Sequence, residues 1–252
     1  MMRERCSFYI VARTANNPNT YMNELNSNYQ NVITRLKHAC QNNNRPAHSV
    51  KLLAVSKTKP ASVVEQAYQL GQRSFGENYL QDGLEKINAL SHLSDIEWHF
   101  IGPLQSNKTR AVAEHFDWLE TLDRERIAKR LNEQRPTHKK PLNVLLQINI
   151  SREPQKSGLM PEEVLEFAQR LGEFTNLSLR GLMCIAEANI DESALSAQFQ
   201  QMHNLFKQLQ AAHPQVDTLS MGMSADMDIA IACGSTEIRI GTDIFGAREY
   251  NA

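Results

Sequence analysis

The chain has almost no net charge, no long apolar run and no paired cysteines. Its 27 lysines and arginines nearly balance 28 aspartates and glutamates, for a formal net charge of −1, so no general attraction to nucleic acid or to an anionic membrane surface is expected. No window approaches the roughly 18 consecutive apolar residues of a membrane-spanning helix. The four cysteines, at 6, 40, 184 and 233, show no CxxC or paired spacing. They are expected to be free thiols in a reducing cytoplasm rather than a disulfide framework or a zinc site.

The first 21 residues differ in character from the rest of the chain. A short apolar run at 8–12 is flanked by arginines and followed by a helix-breaking cluster at 16–19. The run is too short for a signal-peptide core, and no clear small-residue cleavage site follows it. We predict that Met1 to Tyr21 is a disordered extension, which an upstream start codon would explain. Since no linker or low-complexity stretch divides the remainder, residues 22–252 are predicted to form one domain.

What the chain does contain is a regular alternation of strand-like and helix-like segments. Apolar residues at helical spacing predict an amphipathic helix from Met22 to Asn43. Eight apolar runs of strand length follow, with a helix-like segment between each consecutive pair. This alternation predicts parallel strands with right-handed crossovers, and eight units predict a closed (β/α)8 barrel of the TIM type with an extra amino-terminal helix. The predicted strands are 51–56, 73–76, 97–101, 117–121, 142–150, 178–185, 217–221 and 237–240.

An open doubly wound sheet is the alternative architecture for the same alternation. That fold typically carries a Gly-rich GxGxxG turn after its first strand. Here the first strand is followed by Ser56-Lys57-Thr58-Lys59-Pro60. The turn therefore favours the barrel.

Lys57 stands at the end of the first apolar run, just before a turn and a proline. Burial lowers the pKa of an ammonium group and frees the amine as a nucleophile toward carbonyls. This is the chemistry by which proteins hold pyridoxal phosphate as a Schiff base. The alternative is a strand-end lysine whose head reaches water. Lys59 would lie on the same face of an extended chain, where it could tune the pKa of Lys57 or receive the aldehyde on exit.

Two loops at the predicted barrel mouth are candidate phosphate cradles. In this fold the carboxyl ends of all strands converge on one mouth, where functional sites lie. Ser220, Gly222 and Ser224 follow the seventh strand, and Gly241 and Thr242 follow the eighth. Small residues let backbone N–H groups approach an anion, and helix N-termini favour negative charge. Alternatively, Ser224 is simply the N-cap of a helix that begins at the next residue.

Other polar residues at strand ends leave two interpretations open. Arg239 alternates with isoleucines on the eighth strand, so its guanidinium points to the barrel interior and needs an acceptor. That acceptor is either the ring nitrogen of a pyridine cofactor or a carboxylate such as Glu237. His99 is either a hydrogen-bonded core residue or a ligand, and no second histidine at metal-ligand spacing accompanies it. Asn78 and Asn149 could contact a cofactor or satisfy loop backbone.

Six motifs, in order, resemble the pyridoxal-phosphate homeostasis protein family, which is similar to the barrel domain of alanine racemase without its second domain. The resemblance runs from about Met22 to Glu249. It implies a (β/α)8 barrel that binds pyridoxal 5'-phosphate. The motifs are 54–60 (AVSKTKP), 75–79 (FGENY), 98–108 (WHFIGPLQSNK), 181–183 (GLM), 220–224 (SMGMS) and 239–242 (RIGT) with 245–248 (FGAR).

The resemblance also implies individual roles. Lys57 would carry the Schiff base, and Arg239 would face the pyridine nitrogen. Lys156 matches a family lysine near the mouth and could be a secondary acceptor of the aldehyde. The residues implied to surround the phosphate are Ser220, Gly222, Ser224, Gly241 and Thr242. Those implied to line the pocket are Asn78, His99, Asn149 and Met221.

Two functions of different class fit these motifs, a cofactor carrier and an amino-acid racemase. Racemisation needs a base on each face of the substrate α-carbon. In the racemases the second base is a tyrosine from a partner subunit's second domain, which we expect to be missing here. Tyr79 is the only tyrosine near a predicted strand end, and it is predicted to head a helix. We therefore expect a monomeric cytoplasmic carrier that buffers the aldehyde and hands it to apo-enzymes, without strong catalytic activity and without a metal.

Overall fold

A closed barrel of eight parallel strands forms the centre of the described chain. The computed structural model describes residues 18–187 and 189–247. The strands follow one another around the barrel in chain order, and β8 pairs with β1 to close it. The strands are β1 (Lys51–Val55), β2 (Ser74–Glu77), β3 (Glu97–Phe100), β4 (Trp118–Leu122), β5 (Leu142–Ile148), β6 (Leu177–Cys184), β7 (Thr218–Ser220) and β8 (Glu237–Ile240).

Helices cover the outside of this barrel and connect the strands. None of those in the described ranges combines the length and the apolar character needed to span a membrane. They are α1 (Pro18–Asn42), α2 (Ala61–Gln69), α3 (Leu80–Ala89), α4 (Thr109–His115), α5 (Glu125–Gln134), α6 (Val164–Leu171), α7 (Glu192–Ala212), α8 (Met227–Ala232) and α9 (Thr242–Phe245). Short 3-10 turns precede α4 and α6.

The barrel and its extra amino-terminal helix confirm the predicted fold and exclude the open sheet. Two helix starts were predicted wrongly. Helix α1 begins at Pro18 rather than Met22, since proline suits the first turn of a helix, so the end of the predicted extension is helical. Helix α8 begins at Met227, because 224–226 form a turn. Residues 1–17, which make up the rest of that extension, lie outside the described part.

Helix α1 packs on the barrel beside its last two helices. Its apolar stripe, which includes Leu25, Val32 and Leu36, is buried, and the helix contacts α8 and α9. Arg35 pairs with Asp228 of α8. The extra helix therefore covers the side of the barrel whose loops carry the predicted phosphate cradles.

The barrel interior is unusually polar. Side chains inside such barrels are mostly branched aliphatic residues. Here His99, Glu120, Glu237 and Arg239 are all at most 6% exposed. Buried charges require partners, so the interior must contain an organised set of hydrogen bonds.

Candidate functional site

The loop after β1 carries Lys57 in a tightly held conformation. Ser56 Oγ donates to Glu77 Oε1 at 2.5 Å, and the Thr58 N–H donates to Asp82 Oδ2 at 3.0 Å. Thr58 has φ +65°, which is unfavourable for a β-branched residue and persists only where the surroundings impose it. Lys57, between these two anchors, therefore projects from a fixed point of the barrel mouth.

A buried ion pair lies directly beneath this loop. Lys86 Nζ donates to Glu77 Oε1 at 2.8 Å and to the Ser56 carbonyl at 2.8 Å, and it reaches Asp82 Oδ2 at 3.0 Å. Lys86 is 2% exposed and Glu77 is fully buried. Burial raises the pKa of Glu77 to about 7, although Lys86 opposes the rise. This ammonium thus links both anchors of the Lys57 loop.

A small cavity joins the end of β1 to the end of β8. Lys57 and Lys59 line it together with Gly241 and Thr242. Lys59 Nζ donates to the Ala247 carbonyl at 3.1 Å. A Cβ on Gly241 would lie 3.2 Å from the Val55 carbonyl oxygen, so the glycine allows the two strand ends to approach. This cavity suits an anionic ligand, because it combines the Lys57 and Lys59 amines with the Thr242 hydroxyl and the start of α9.

A second mouth cavity, of about 250 Å³, brings together Asn78, Asn149 and Lys156. Asn78 Oδ1 is buried without a hydrogen-bond partner. The Asn149 amide donates to the Glu153 carbonyl at 2.8 Å, so it fastens its own loop. Lys156 Nζ lies 2.5 Å from Glu153 Oε1. Asn78 is therefore the residue of this set that offers an unused acceptor.

The loop after β7 is shaped by Gly222 rather than by a helix cap. Gly222 has φ +99°, and a Cβ there would lie 2.5 Å from that of Ala230. Its carbonyl accepts from the Arg239 N–H at 3.0 Å. Ser224 is not the N-cap of α8, whose N-cap is Asp226; the Ser224 carbonyl accepts from Arg35 at 2.8 Å. The side chain of Met221 is fully buried in the hydrophobic core.

Arg239 is held by neutral acceptors inside the barrel. Its Nη1 donates to the Ser220 carbonyl at 2.9 Å and to Ser220 Oγ at 2.7 Å, and its Nη2 donates to the Cys184 carbonyl at 2.7 Å. Within the described residues the guanidinium forms no salt bridge with a carboxylate, so the alternative pairing with Glu237 does not form. The Ser220 hydroxyl is committed to the interior rather than presented to a phosphate. Burial raises the pKa of the Cys184 thiol to about 12, so this cysteine is a poor nucleophile.

His99 lies in the interior and lines neither mouth cavity. Its ring stacks on Trp118 at a centroid distance of 5.0 Å. Nδ1 lies 2.7 Å from Glu120 Oε1, and Nε2 lies 3.3 Å from Lys51 Nζ. Burial lowers the pKa of His99 to about 4, so the ring is neutral near pH 7. The structure thus shows the hydrogen-bonded core histidine, which was one of the two interpretations.

Sequence reasoning missed two residues that organise this site, Glu120 and Lys86. Glu120 is fully buried and bonds Ser220 Oγ at 2.9 Å. It is a charged residue at an alternating position of an apolar strand, the same signal that identified Arg239. Lys86 offered no such signal, because a lysine on an amphipathic helix is ordinarily exposed.

Two larger cavities lie at the other end of the barrel. One of about 520 Å³ is lined by Glu97, Asn143 and Arg180, and another of about 350 Å³ is lined by Lys51 and Glu237. These residues lie in the amino-terminal halves of their strands. In this fold the chemistry lies at the carboxyl ends of the strands, so the smaller cavities around Lys57 and Asn78 form the candidate site.

The buried Glu237 carboxyl makes a pH-dependent contribution to stability. Burial and the neighbouring Glu120 raise its pKa to about 7, from an ordinary 4.5. Between these values the folded chain holds a proton that the unfolded chain has released, so stability falls as pH rises through this window. Glu237→Gln removes the fall. The free energy of unfolding of the variant minus that of the native chain should rise on the order of 3 kcal/mol from pH 4.5 to 7.5.

Denaturant unfolding across this pH range measures that difference. Glu133→Gln, on the exposed side of α5, provides the control and should give a flat difference curve. A flat curve for Glu237→Gln would show that its carboxyl does not hold the proton.

Comparisons with known proteins identify the family to which this chain belongs. The family model for the alanine racemase N-terminal domain matches residues 32–249. A pyridoxal phosphate homeostasis protein of Pasteurella multocida is 56% identical over 230 residues, which are 90% of this chain and 99% of the relative. PipY of Synechococcus elongatus, whose structure has PLP bound, is 34% identical with a TM-score of 0.76, over 88% of this chain and 100% of that one.

An alanine racemase of Clostridium difficile shares the fold alone. It is 15% identical, with a TM-score of 0.72 over 91% of this chain and 58% of that one. The identity to the homeostasis protein is far higher and extends over nearly its full length. On the strength of that identity, of the matched racemase-type barrel and of the lysine at the end of its first strand, the chain belongs to the pyridoxal phosphate homeostasis protein family.

Proposed function

We propose that the protein binds pyridoxal 5'-phosphate through Lys57 and acts as a carrier in cofactor homeostasis. The observation that carries the proposal is the cavity in which Lys57 meets Gly241 and Thr242. An amine and an anion-binding strand end within one cavity suit a phosphorylated aldehyde. Relatives named for pyridoxal phosphate homeostasis and the PLP-bound PipY structure support the same ligand.

The residues at the mouth fit this cofactor. The unpartnered Asn78 Oδ1 offers an acceptor to a donor on the ligand. The loops at Gly222 to Ser224 and at Gly241 to Thr242 offer backbone N–H groups for the phosphate. Arg239 would face the pyridine nitrogen. The side chains of Ser220, His99 and Met221 are buried in the barrel, so we propose that they support the cofactor pocket from below. Asn149 would hold the loop at the pocket edge.

The proposed chemistry is reversible holding of an aldehyde. The Lys57 amine condenses with the cofactor aldehyde and releases water, and hydrolysis reverses the step. Arg239 carries a permanent charge, so it would keep the pyridine nitrogen unprotonated and weaken the electron sink that racemisation requires. Tyr79 is 57% exposed and precedes α3, so it is not held rigidly enough to serve as a second base. These features favour carriage over catalysis.

The carrier would act as a cytoplasmic monomer that supplies apo-enzymes. The described cysteines Cys40, Cys184 and Cys233 are free, which suits a reducing compartment. Among the described residues, the large apolar side chains that are exposed lie singly along the chain, at Met22, Tyr79, Leu165, Ile185 and Met223. Lys156 lines the mouth beside Asn78, where it could accept the aldehyde in transit.

Reductive mapping tests this function. Purified protein would be incubated with pyridoxal phosphate, reduced with borohydride, digested and analysed by mass spectrometry. We expect the stable adduct chiefly on Lys57, because this amine lies in the proposed binding cavity. Equal labelling of Lys57 and of an exposed lysine such as Lys129 would refute specific binding.

A further inference from the structure

A continuous column of polar side chains crosses the barrel interior and ends at Arg239. It starts where Lys51 Nζ approaches His99 Nε2 at 3.3 Å, and His99 Nδ1 lies 2.7 Å from Glu120 Oε1. Glu120 Oε2 accepts from Ser220 Oγ at 2.9 Å, and Ser220 Oγ accepts from Arg239 Nη1 at 2.7 Å. The column thus extends from the cavity at the amino end of the barrel to the guanidinium beneath the mouth.

The donors and acceptors of this column are satisfied together in one arrangement. An ammonium and a guanidinium only donate, so Lys51 must donate to His99 and Arg239 must donate to Ser220. His99 then donates from Nδ1, and the serine donates its hydroxyl proton. Both donations arrive at Glu120, which accepts with both oxygens. Glu120 is therefore the group that fixes the direction of every bond in the column.

Arg239 depends on this direction for its own position. Its other acceptors are the backbone carbonyls of Ser220 and Cys184, which are neutral and fixed by the strands. The Ser220 hydroxyl can rotate, and it offers a lone pair to the guanidinium only while its proton points at Glu120. The Glu120 carboxylate is also a buried counter-charge: Arg239 opposes the rise in the Glu120 pKa that burial causes.

We infer that Glu120 is a positioning residue that orients Arg239 toward the cofactor ring through Ser220. The inference rests on the proposed function, because it concerns the same cofactor site. Glu120 does not contact the cofactor itself. Its effect is to hold the serine hydroxyl as an acceptor, and so to set where the guanidinium charge lies beneath the pyridine nitrogen.

A metal site is the other use that this cluster suggests. His99, Glu120 and Glu237 present ligand atoms within 4.8 Å of one another. However, both Glu120 oxygens already accept hydrogen bonds, and the Lys51 ammonium adjoins the remaining nitrogen of His99. A cation placed here would have to displace these donors and would be repelled by the ammonium. The contacts therefore favour a positioning role.

Glu120→Gln tests the inference with nearly constant side-chain volume. A glutamine can accept through one oxygen only, so the donations from Ser220 and His99 can no longer both be met. We expect pyridoxal phosphate to bind about 10-fold more weakly, and the visible band at saturating cofactor to shift. Glu97→Gln is the matched control. It changes the same group at the exposed amino end, where Glu97 pairs with Lys51, and should leave both readouts unchanged.

Ser220→Ala supplies a second measurement. Because Glu120 acts through this hydroxyl, Ser220→Ala should reproduce the spectral shift, and the double variant should shift no further than either single one. If Glu120→Gln fails to fold, as urea unfolding without cofactor would show, the spectrum of Ser220→Ala decides. An unshifted band in every folded variant, or strictly additive shifts, would overturn the inference. Failure of the native protein to form the Lys57 adduct would instead refute the proposed function.

Discussion

Replacing Lys57 with alanine should abolish the visible absorbance of the pyridoxal phosphate complex. In the proposed function this lysine supplies the amine for the covalent link, and alanine would leave only the proposed contacts with the phosphate and ring. We expect apparent affinity to fall on the order of 100-fold or more. Absorbance titration of the purified variant measures both effects. The free energy of unfolding without cofactor should change by no more than about 0.5 kcal/mol, since Lys57 is partly exposed.

Lys59→Ala provides the matched control for this change. Lys59 belongs to the same loop and lines the same cavity, so its removal deletes the same charge while leaving the proposed nucleophile in place. The band should persist with a modest loss of affinity. A band that survives in Lys57→Ala and disappears in Lys59→Ala would transfer the role to Lys59. A band that survives in both would remove this cavity from the proposal.

Lys86→Met should destabilise the protein by about 3–5 kcal/mol, because it leaves the Glu77 carboxyl buried without its ammonium partner. Both members of this pair are at most 2% exposed. The loss should be largest above about pH 7, where Glu77 ionises in the native protein, since the variant must then bury an unpaired charge or keep a proton on it. Urea unfolding at pH 7.5 measures the cost. Affinity for pyridoxal phosphate should also fall, because Lys86 links the anchors of the Lys57 loop.

Two further variants separate the buried pair from a general loss of charge. Adding Glu77→Gln to Lys86→Met removes the orphaned carboxylate and should recover more than half of the lost stability. Arg152→Met breaks an ion pair with Glu162 in which both side chains are more than half exposed, and it should leave the free energy of unfolding nearly unchanged. Equal losses of stability in Lys86→Met and Arg152→Met would show that the buried pair stabilises the protein no more than an exposed pair does.

The barrel could be predicted from the sequence because its signals are local. Each strand is a short apolar run, each connection is long enough for a helix, and parallel strands with right-handed crossovers leave few arrangements. The predicted start of α8 was wrong for a similarly local reason. Ser224 is a good N-cap residue, but 224–226 form a turn and the helix begins only at Met227.

The site was predictable only in part, because its supporting contacts join residues that are distant in sequence. Lys57, Gly241 and Thr242 could be placed together from their positions after strands. The bond between Glu120 and Ser220 joins positions 100 residues apart, and no local pattern indicates it. The family resemblance implied that His99 lines the cofactor pocket and that Ser220 surrounds the phosphate. Their side chains point inward, where Glu120 accepts from both.

The closure of the barrel by β8 against β1 has a consequence for biosynthesis. Lys57 emerges from the ribosome long before Gly241 and Thr242, which form the opposite wall of its cavity. A nascent chain must therefore bring its two distant parts together before the cofactor cavity exists, and that closure bears the entropic cost of the longest loop in the fold. Partly synthesised or truncated chains would present a lysine without a phosphate cradle. Cofactor loading should accordingly distinguish finished molecules from unfinished ones.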